Sequence, residues 1–133
     1  MKKIKLDDDG YCFVCGKRNE AGLKLDFRTE DGRTVSEFIL LKIHQGYQDI
    51  VHGGIISTIL DEAMVKAVLS LGIGAVTAEM SVRFKSPLFV GEKALVEAEI
   101  LTMNSRLIET SAKIKKANRT VIAEARAKLL RNA

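Results

Sequence analysis

The sequence of 133 residues contains no tryptophan and only seven other aromatic residues, five phenylalanines and two tyrosines. Proteins that bind single-stranded nucleic acids rely on aromatic side chains on which the bases stack, so this function has few residues to use here. Lysine and arginine exceed aspartate and glutamate by 21 to 17, a modest excess that suits a phosphate-bearing ligand as well as a nucleic acid. We therefore expect no nucleic-acid partner.

Long apolar runs are also missing. No stretch reaches the length of about 18 apolar residues that a membrane-spanning helix needs. The N-terminal stretch from Met1 to Asp9 consists mainly of lysines and aspartates, so it lacks the apolar core of a signal peptide. These two absences predict a cytoplasmic protein that has no membrane partner.

The sequence has only two cysteines, Cys12 and Cys15, which are too close together to cross-link a domain of this size. Their spacing is that of half a zinc site, but no second cysteine pair follows, and His44 and His52 are eight positions apart instead of at the usual spacing. A redox pair is expected at the start of a helix in a βαβ unit, and these cysteines precede the first predicted strand. We predict neither a metal nor an organic cofactor, with a metal site as the less favoured alternative for the cysteines.

The length fits one domain, which we place at residues 1–133 with residues 1–22 as an N-terminal extension. Alternating apolar and polar residues predict strands at 23–28 and 34–41, joined by a turn at Asp31-Gly32. The same alternation predicts four later strands, at residues 76–85, 93–103, 106–116 and 120–130.

Residues 55–71 have the one long pattern with helical spacing, and Gly72 and Gly74 follow it, as is typical of a helix end. The apolar stripe of this helix comprises Ile56, Ile59, Leu60, Ala63, Ala67 and Leu71. Three alanines on one face of the last strand, at positions 123, 125 and 127, leave room for the helix to lie close to a sheet. The pattern predicts an α+β domain in which a mostly antiparallel sheet of five to six strands wraps one central helix.

Two segments resemble a known family. The run VHGGIISTILDEA, from Val51 to Ala63, resembles the motif that begins the long helix in hotdog-fold thioesterases of the phenylacetyl-CoA thioesterase-like group, in which a carboxylate lies nine positions after the histidine. Residues 76–87, followed by Gly91-Glu92, are similar to the strand and turn after that helix, and CFVCG at 12–16 resembles an N-terminal segment of some superfamily members. The resemblance covers most of residues 23–130 and implies the hotdog fold.

The start of a helix presents free N–H groups and the positive end of the helix dipole to a carbonyl oxygen that gains charge. In the resembling enzymes, a glycine amide of the motif polarises a thioester carbonyl, and an acid on the helix of the partner subunit is the general base or nucleophile. The resemblance therefore implies catalytic roles for Gly53 and Gly54 at the carbonyl and for Asp61 as the acid. It also implies that the Thr77 hydroxyl helps to place the water.

Substrate-binding residues are expected around this motif. His52 is expected to position the loop or the substrate by hydrogen bonding rather than to act as a base. Many relatives have an amide residue six positions before this histidine, where this chain has Gly46, so Gln48 is a candidate for that function. Arg83 and Lys85 are candidates to bind the phosphates of coenzyme A.

The resemblance implies an acyl-CoA thioesterase that hydrolyses a thioester with water. It further implies a homodimer or homotetramer in which Gly53 and Gly54 of one subunit and Asp61 of another form each site. Two alternatives stay open: an acyl-CoA-binding hotdog domain without activity, and an acyl-thioester dehydratase or hydratase, which relies on a histidine on or near the helix. Glu62, next to Asp61, is expected to form a surface pair with Lys66.

Overall fold

The computed structural model describes residues 4–132 of the chain. The predicted domain, 1–133, therefore includes terminal residues, 1–3 and 133, that lie outside the described part. In chain order the elements are β1 (Arg28–Glu30), β2 (Arg33–Ile39), a 3₁₀ turn (Lys42–His44), α1 (Gly53–Leu69), β3 (Ala75–Phe84), β4 (Lys93–Met103), β5 (Leu107–Lys116) and β6 (Val121–Arg131).

The six strands form one antiparallel sheet in the order β1-β2-β4-β5-β6-β3. Helix α1 packs against five of these strands, β2 to β6. The predicted α+β architecture, one helix wrapped by a mostly antiparallel sheet of five to six strands, is therefore confirmed. Four strands, β3 to β6, match the predicted bounds to within one residue.

The core lies between α1 and the sheet. Five α1 side chains have no exposed surface at all: Ile59, Leu60, Ala63, Met64 and Val68. Facing them, Ala98, Ala112 and Ala125 lie directly opposite one another on β4, β5 and β6, and all three are buried. Small side chains let the helix approach the sheet closely, as the alanines of the last strand predicted.

The helix ends earlier than predicted. Its last residue is Leu69, Ser70 is the C-cap, and Gly72 then reverses the chain with a φ of 78°. Leu71 lies beyond the end and is 56% exposed, so its assignment to the buried stripe was wrong. No helix within residues 4–132 is long and apolar enough to cross a membrane.

The predicted strand at 23–28 is wrong except at its last residue. Backbone N–H groups of Leu23 and Leu25 donate to the carbonyls of Phe13 and Val14, at 2.8 Å in both cases, so this stretch pairs with the N-terminal segment and not with the sheet. Lys24 between them has a φ of 54°, outside the strand region. The apolar residues of this stretch have another explanation: Leu25, like its partner Val14, packs into the core.

The alternation along β3 is broken by a bulge between Thr77 and Glu79. An extra residue in a strand moves all later side chains to the other face. Thr77 therefore lies on the helix side of the sheet together with Met80 and Val82, although simple alternation along the strand would place it on the opposite face from them. Since β3 is an edge strand, these apolar side chains are only partly covered.

The alanine row gives a stability prediction. Ala125→Leu places three additional carbons between the sheet and α1, where Ala125 is only 5% exposed. Overpacking of this kind typically costs about 1–3 kcal/mol, so the midpoint of urea denaturation should fall. Ala117→Leu, in the exposed turn after β5, is the matched control and should leave the midpoint nearly unchanged. Equal midpoints for the two variants would show that the helix does not depend on small side chains beneath it.

Candidate active site

A hydrogen-bonded loop leads into α1. The His52 N–H donates to the carbonyl of His44 at 2.9 Å, and the Val51 N–H donates to the carbonyl of Leu88 at the same distance. Gln45 and Val51 form a short antiparallel bridge within the loop. These contacts fix the residue that comes immediately before the helix.

The helix begins at Gly53, two residues before the predicted start, and His52 is its N-cap. The Gly54 N–H donates to His52 Nδ1 at 2.8 Å, so this amide already has a partner. The Gly53 N–H donates to no group within residues 4–132. Of the two amides expected to act on a carbonyl, only that of Gly53 is therefore available, and His52 is the residue that occupies the other.

The exposed ring of Phe84 borders this amide. A Cβ atom built on Gly53 would lie 3.5 Å from Phe84 Cε1, which is an ordinary contact distance. Phe84 ends β3 and is 56% exposed. The helix start thus combines a free N–H group with an apolar wall.

Asp61 and Thr77, both predicted site residues, are in direct contact. Thr77 Oγ1 donates to Asp61 Oδ1 at 2.6 Å, and both side chains are half-buried. The short distance is typical of a hydrogen bond to an ionised carboxylate. Asp61 Oδ2 accepts no hydrogen bond from any described residue, so it can accept one from a water molecule.

Gly53 and Asp61 belong to the same helix but to different parts of it. They are eight residues apart, and an α-helix rises 1.5 Å per residue, so their backbones are separated by about 12 Å along the axis. The amide and the carboxylate of one chain therefore lie at different heights along the helix.

The structure does not bring Arg83 and Lys85 to Asp61. Arg83 lies opposite Glu124 in the sheet register, and Lys85 Nζ is 3.2 Å from Glu124 Oε1. Because of the β3 bulge, these side chains occupy the sheet face that points away from the helix. A polar cleft crosses that face and is lined by Arg33, Arg83, Glu97, Lys113 and Arg126 among others.

Gln48 lies in the loop before the helix and is exposed. It is part of the turn that the Ile50 N–H closes by donating to the Tyr47 carbonyl at 3.0 Å. The position where many relatives have an amide residue, Gly46, is beside the cap: a Cβ there would lie 3.4 Å from the His52 Cα. Within residues 4–132, no hydrogen bond joins the Gln48 side chain to the helix start.

The N-terminal cysteines contact the helix, which the sequence analysis missed. Cys12 Sγ lies 3.4 Å from Glu62 Oε2. The expected Glu62–Lys66 ion pair is not found within residues 4–132. Burial lowers the pKa of Lys66, but the neighbouring Cys15 and Glu62 outweigh this effect and raise it. Burial, together with the adjacent Glu62 carboxylate, raises the pKa of Cys15 to about 12. The signals in the sequence were the Cys-x-x-Cys spacing and the placement of Glu62 and Lys66 one helical turn apart.

One long helix held by a six-stranded antiparallel sheet, with a glycine pair at the helix start, defines the hotdog fold. A sequence profile of the thioesterase superfamily matches residues 48–123, which is more than half of the chain. The chain belongs to the thioesterase superfamily.

Two proteins with similar sequences support this assignment. Human acyl-coenzyme A thioesterase 13 is 29% identical over 98 residues, 71% of this chain and 70% of that protein. A protein of Archaeoglobus fulgidus is 26% identical over 102 residues, 77% of this chain and 66% of its own length. The chain thus spans slightly less than two thirds of the archaeal protein.

Solved structures share the fold. A thioesterase superfamily protein superposes with a TM-score of 0.85 at 23% identity, over 91% of this chain and 60% of that one. The Escherichia coli PaaI protein, from the phenylacetic acid degradation operon, has a TM-score of 0.77 at 22% identity, over 82% and 80%. A thioesterase protein of Streptococcus pneumoniae, solved with coenzyme A, has a TM-score of 0.76 at 18% identity, over 80% and 84%. The resemblance to hotdog-fold thioesterases is confirmed.

His44 supports the loop below the helix start. Its Nδ1 accepts a hydrogen bond from the Leu41 N–H at 3.0 Å, and its buried Nε2 has no partner among the described residues. Protonation of Nδ1 would remove this acceptor. Burial lowers the pKa of His44 below its ordinary value, so folding favours the neutral ring.

We expect the protein to lose stability in mild acid. A histidine whose pKa is lowered by folding contributes stability above its ordinary pKa, near 6.5, and this contribution is lost as the pH falls through the lowered value. The urea midpoint should therefore fall between about pH 7.5 and pH 5. In His44→Asn, which keeps an acceptor but does not titrate, the fall should be smaller. Identical pH profiles for both proteins would contradict this role of His44.

Proposed function

We propose that the protein is an acyl-CoA thioesterase, which hydrolyses a thioester with water to a carboxylic acid and free coenzyme A. The observation that carries the proposal is the 2.6 Å hydrogen bond between Thr77 and Asp61, in a chain of the thioesterase superfamily. It orients a carboxylate with one free oxygen, which is what activation of a water molecule requires.

The solved relatives support this pair. Structures exist of two variants of the Streptococcus pneumoniae thioesterase protein, one with an aspartate and one with a threonine replaced by alanine. The two replaced residues are 16 positions apart, the separation of Asp61 and Thr77. The same protein was solved with coenzyme A, which favours an acyl-CoA as the substrate here.

In the proposed reaction, the Gly53 N–H donates a hydrogen bond to the thioester carbonyl oxygen and stabilises the negative charge that develops on it. Asp61 Oδ2 takes a proton from a water molecule whose oxygen forms a bond to the carbonyl carbon. Thr77 holds the other carboxylate oxygen. The carbon–sulfur bond then breaks, and the thiolate of coenzyme A receives the proton from Asp61. Direct attack by the Asp61 carboxylate is the alternative route through the same groups.

We further propose that each site lies between two copies of the chain. The separation of about 12 Å between the Gly53 and Asp61 backbones supports a site in which one thioester contacts them on different chains. The edge strand β3 supports a second copy beside it, because its helix-side residues Met80, Val82 and Phe84 are only partly covered. The assembly is then a homodimer or a homotetramer.

Other parts of the proposal concern the coenzyme and the compartment. Arg83 and Lys85 lie on the sheet face that points away from the helix, but they flank Phe84 at the end of the edge strand β3, where Phe84 borders the Gly53 amide. A coenzyme that passes around this edge can reach both cations, which are the proposed contacts for its phosphates. His52 and Gln48, in the loop before the helix, are the proposed polar neighbours of the thioester. Both cysteines are free thiols, which favours the reducing cytoplasm.

The role of Asp61 is tested against the adjacent acid. Asp61→Asn keeps the side-chain shape but removes the base, so turnover should fall by about a hundredfold or more. Glu62→Gln is the matched control on the same helix, about 100° away around the axis and beside Cys12 instead of Thr77; at temperatures where it stays folded, it should change turnover only slightly. The release of free thiol from acyl-CoA esters, from acetyl to long-chain and aryl, measures the turnover of both variants and identifies the acyl group.

A normal rate for Asp61→Asn with an inactive Glu62→Gln would refute the mechanism. Binding of acyl-CoA without any turnover would indicate a binding domain.

The role of the Gly53 amide is tested by removing only the N–H. Proline suits the first position of a helix, and the preceding His52 has φ −60° and ψ 133°, a conformation that proline allows in the residue before it. Gly53→Pro should therefore fold and lose about a hundredfold to a thousandfold in turnover. Gly53→Ala keeps the amide, and its Cβ would meet Phe84 at an ordinary contact distance, so it should retain most activity. Full activity of Gly53→Pro would exclude this amide from the reaction.

A further inference from the structure

Two cysteines and a glutamate come together on the side of α1 that faces the N-terminal segment. The Sγ atoms of Cys12 and Cys15 and a carboxylate oxygen of Glu62 all lie within 4.8 Å of one another, and the three residues are half-buried. Cys12 Sγ and Glu62 Oε2 are 3.4 Å apart. We call these three residues the thiol cluster.

The backbone holds the two sulfur atoms in place. The Gly16 N–H donates to the Cys12 carbonyl at 2.8 Å and closes a tight turn that contains both cysteines. A Cβ on Gly16 would lie 2.4 Å from the Cys12 nitrogen and 2.6 Å from the Gly10 carbonyl oxygen, so this turn requires glycine. Val14, between the cysteines, is 4% exposed and anchors the turn in the core. The turn is therefore rigid before any ligand binds.

We propose that the thiol cluster binds one zinc ion, with Cys12, Cys15 and Glu62 as protein ligands and water as the fourth. Zinc binds thiolate sulfur at about 2.3 Å and carboxylate oxygen at about 2.0–2.2 Å, so the ligand atoms of a tetrahedral site are separated by about 3.5–3.8 Å. The observed separations reach this range with small side-chain movements. The thiolates favour zinc over the hard cations calcium and magnesium.

The charge around the thiol cluster supports the same assignment. Two thiolates and one carboxylate bring three negative charges, of which the zinc ion compensates two. Lys66, four residues after Glu62 on α1, provides the positive charge that compensates the third. On binding, each thiol loses its proton to solvent as its sulfur forms a bond to the ion.

The proposed ion would lie away from the proposed reaction site. It would join the N-terminal segment to α1, whereas Asp61 points to β3 and Thr77. The sequence disfavours a metal because the cysteine pair has no second pair, but here the additional ligand comes from the helix. The proposal does not depend on the proposed thioesterase activity.

The test measures metal binding and not turnover. The full chain, purified without chelators, should contain about one zinc per chain by mass spectrometry of its metals. After chelation and addition of cobalt(II), it should show sulfur-to-cobalt charge-transfer absorption. Cys15→Ser and Glu62→Gln should each weaken zinc binding at least about tenfold in a competition titration, and zinc should raise the melting temperature of the wild type but not of Cys15→Ser. Glu20→Gln, an exposed carboxylate in the same segment, is the control and should bind like the wild type.

Three results would overturn the proposal. The first is wild-type protein that holds neither zinc nor cobalt while both thiols react freely with a thiol reagent. The second is equal zinc affinity in wild type, Cys15→Ser and Glu62→Gln, which would mean that the metal binds elsewhere. The third is a Cys12–Cys15 disulfide that remains after the protein is treated with both a reducing agent and zinc. Because Glu62→Gln retains both cysteines, it separates loss of a ligand from misfolding of the turn.

Discussion

The rigidity of one helix is the constraint on which the site depends. Gly53 and Asp61 are both positioned by α1, and its rise of 1.5 Å per residue keeps them about 12 Å apart. The core enforces this geometry, because the buried alanines of β4, β5 and β6 let the helix lie directly on the sheet. A helix held so firmly cannot bend to bring both groups to one thioester. The proposed two-chain site follows from this distance together with the unpaired edge of β3.

The parts of the fold that depend on local patterns were predicted from the sequence. The α1 stripe and the strands β3 to β6 show their periods over ten or more residues, which is enough for the pattern to be read. The stretch at 23–28 shows the same alternation for a different reason, since its partners are Phe13 and Val14 and not a strand. The sequence pattern does not reveal the bulge after Thr77 either. One added residue turns the later side chains to the other face of the sheet, but the composition of the strand stays the same.

The candidate site, like the fold, was predicted from the sequence only in part. Asp61 and Thr77 were named from the family resemblance, and their hydrogen bond needed the structure because it joins a helix to a strand. The glycine amides were predicted together, yet His52 occupies that of Gly54. Arg83 was expected near the site, but the bulge places it on the opposite face of the sheet. The contact between Cys12 and Glu62 spans 50 residues of sequence, so the local spacing of the cysteines and of the helix residues did not show that they meet.

The central claim, that each site combines Gly53 of one chain with Asp61 of another, is tested most directly by mixing two inactive variants. Gly53→Pro and Asp61→Asn are unfolded together in equal amounts, refolded, and assayed for thiol release from an acyl-CoA. With random pairing, half of the dimers contain one chain of each kind and have one intact site of two, so turnover should recover to about a quarter of the wild-type value. If each chain carried a complete site, every site in the mixture would lack one group. Activity no higher than that of the separate variants, in a sample shown to contain mixed dimers, would contradict the account.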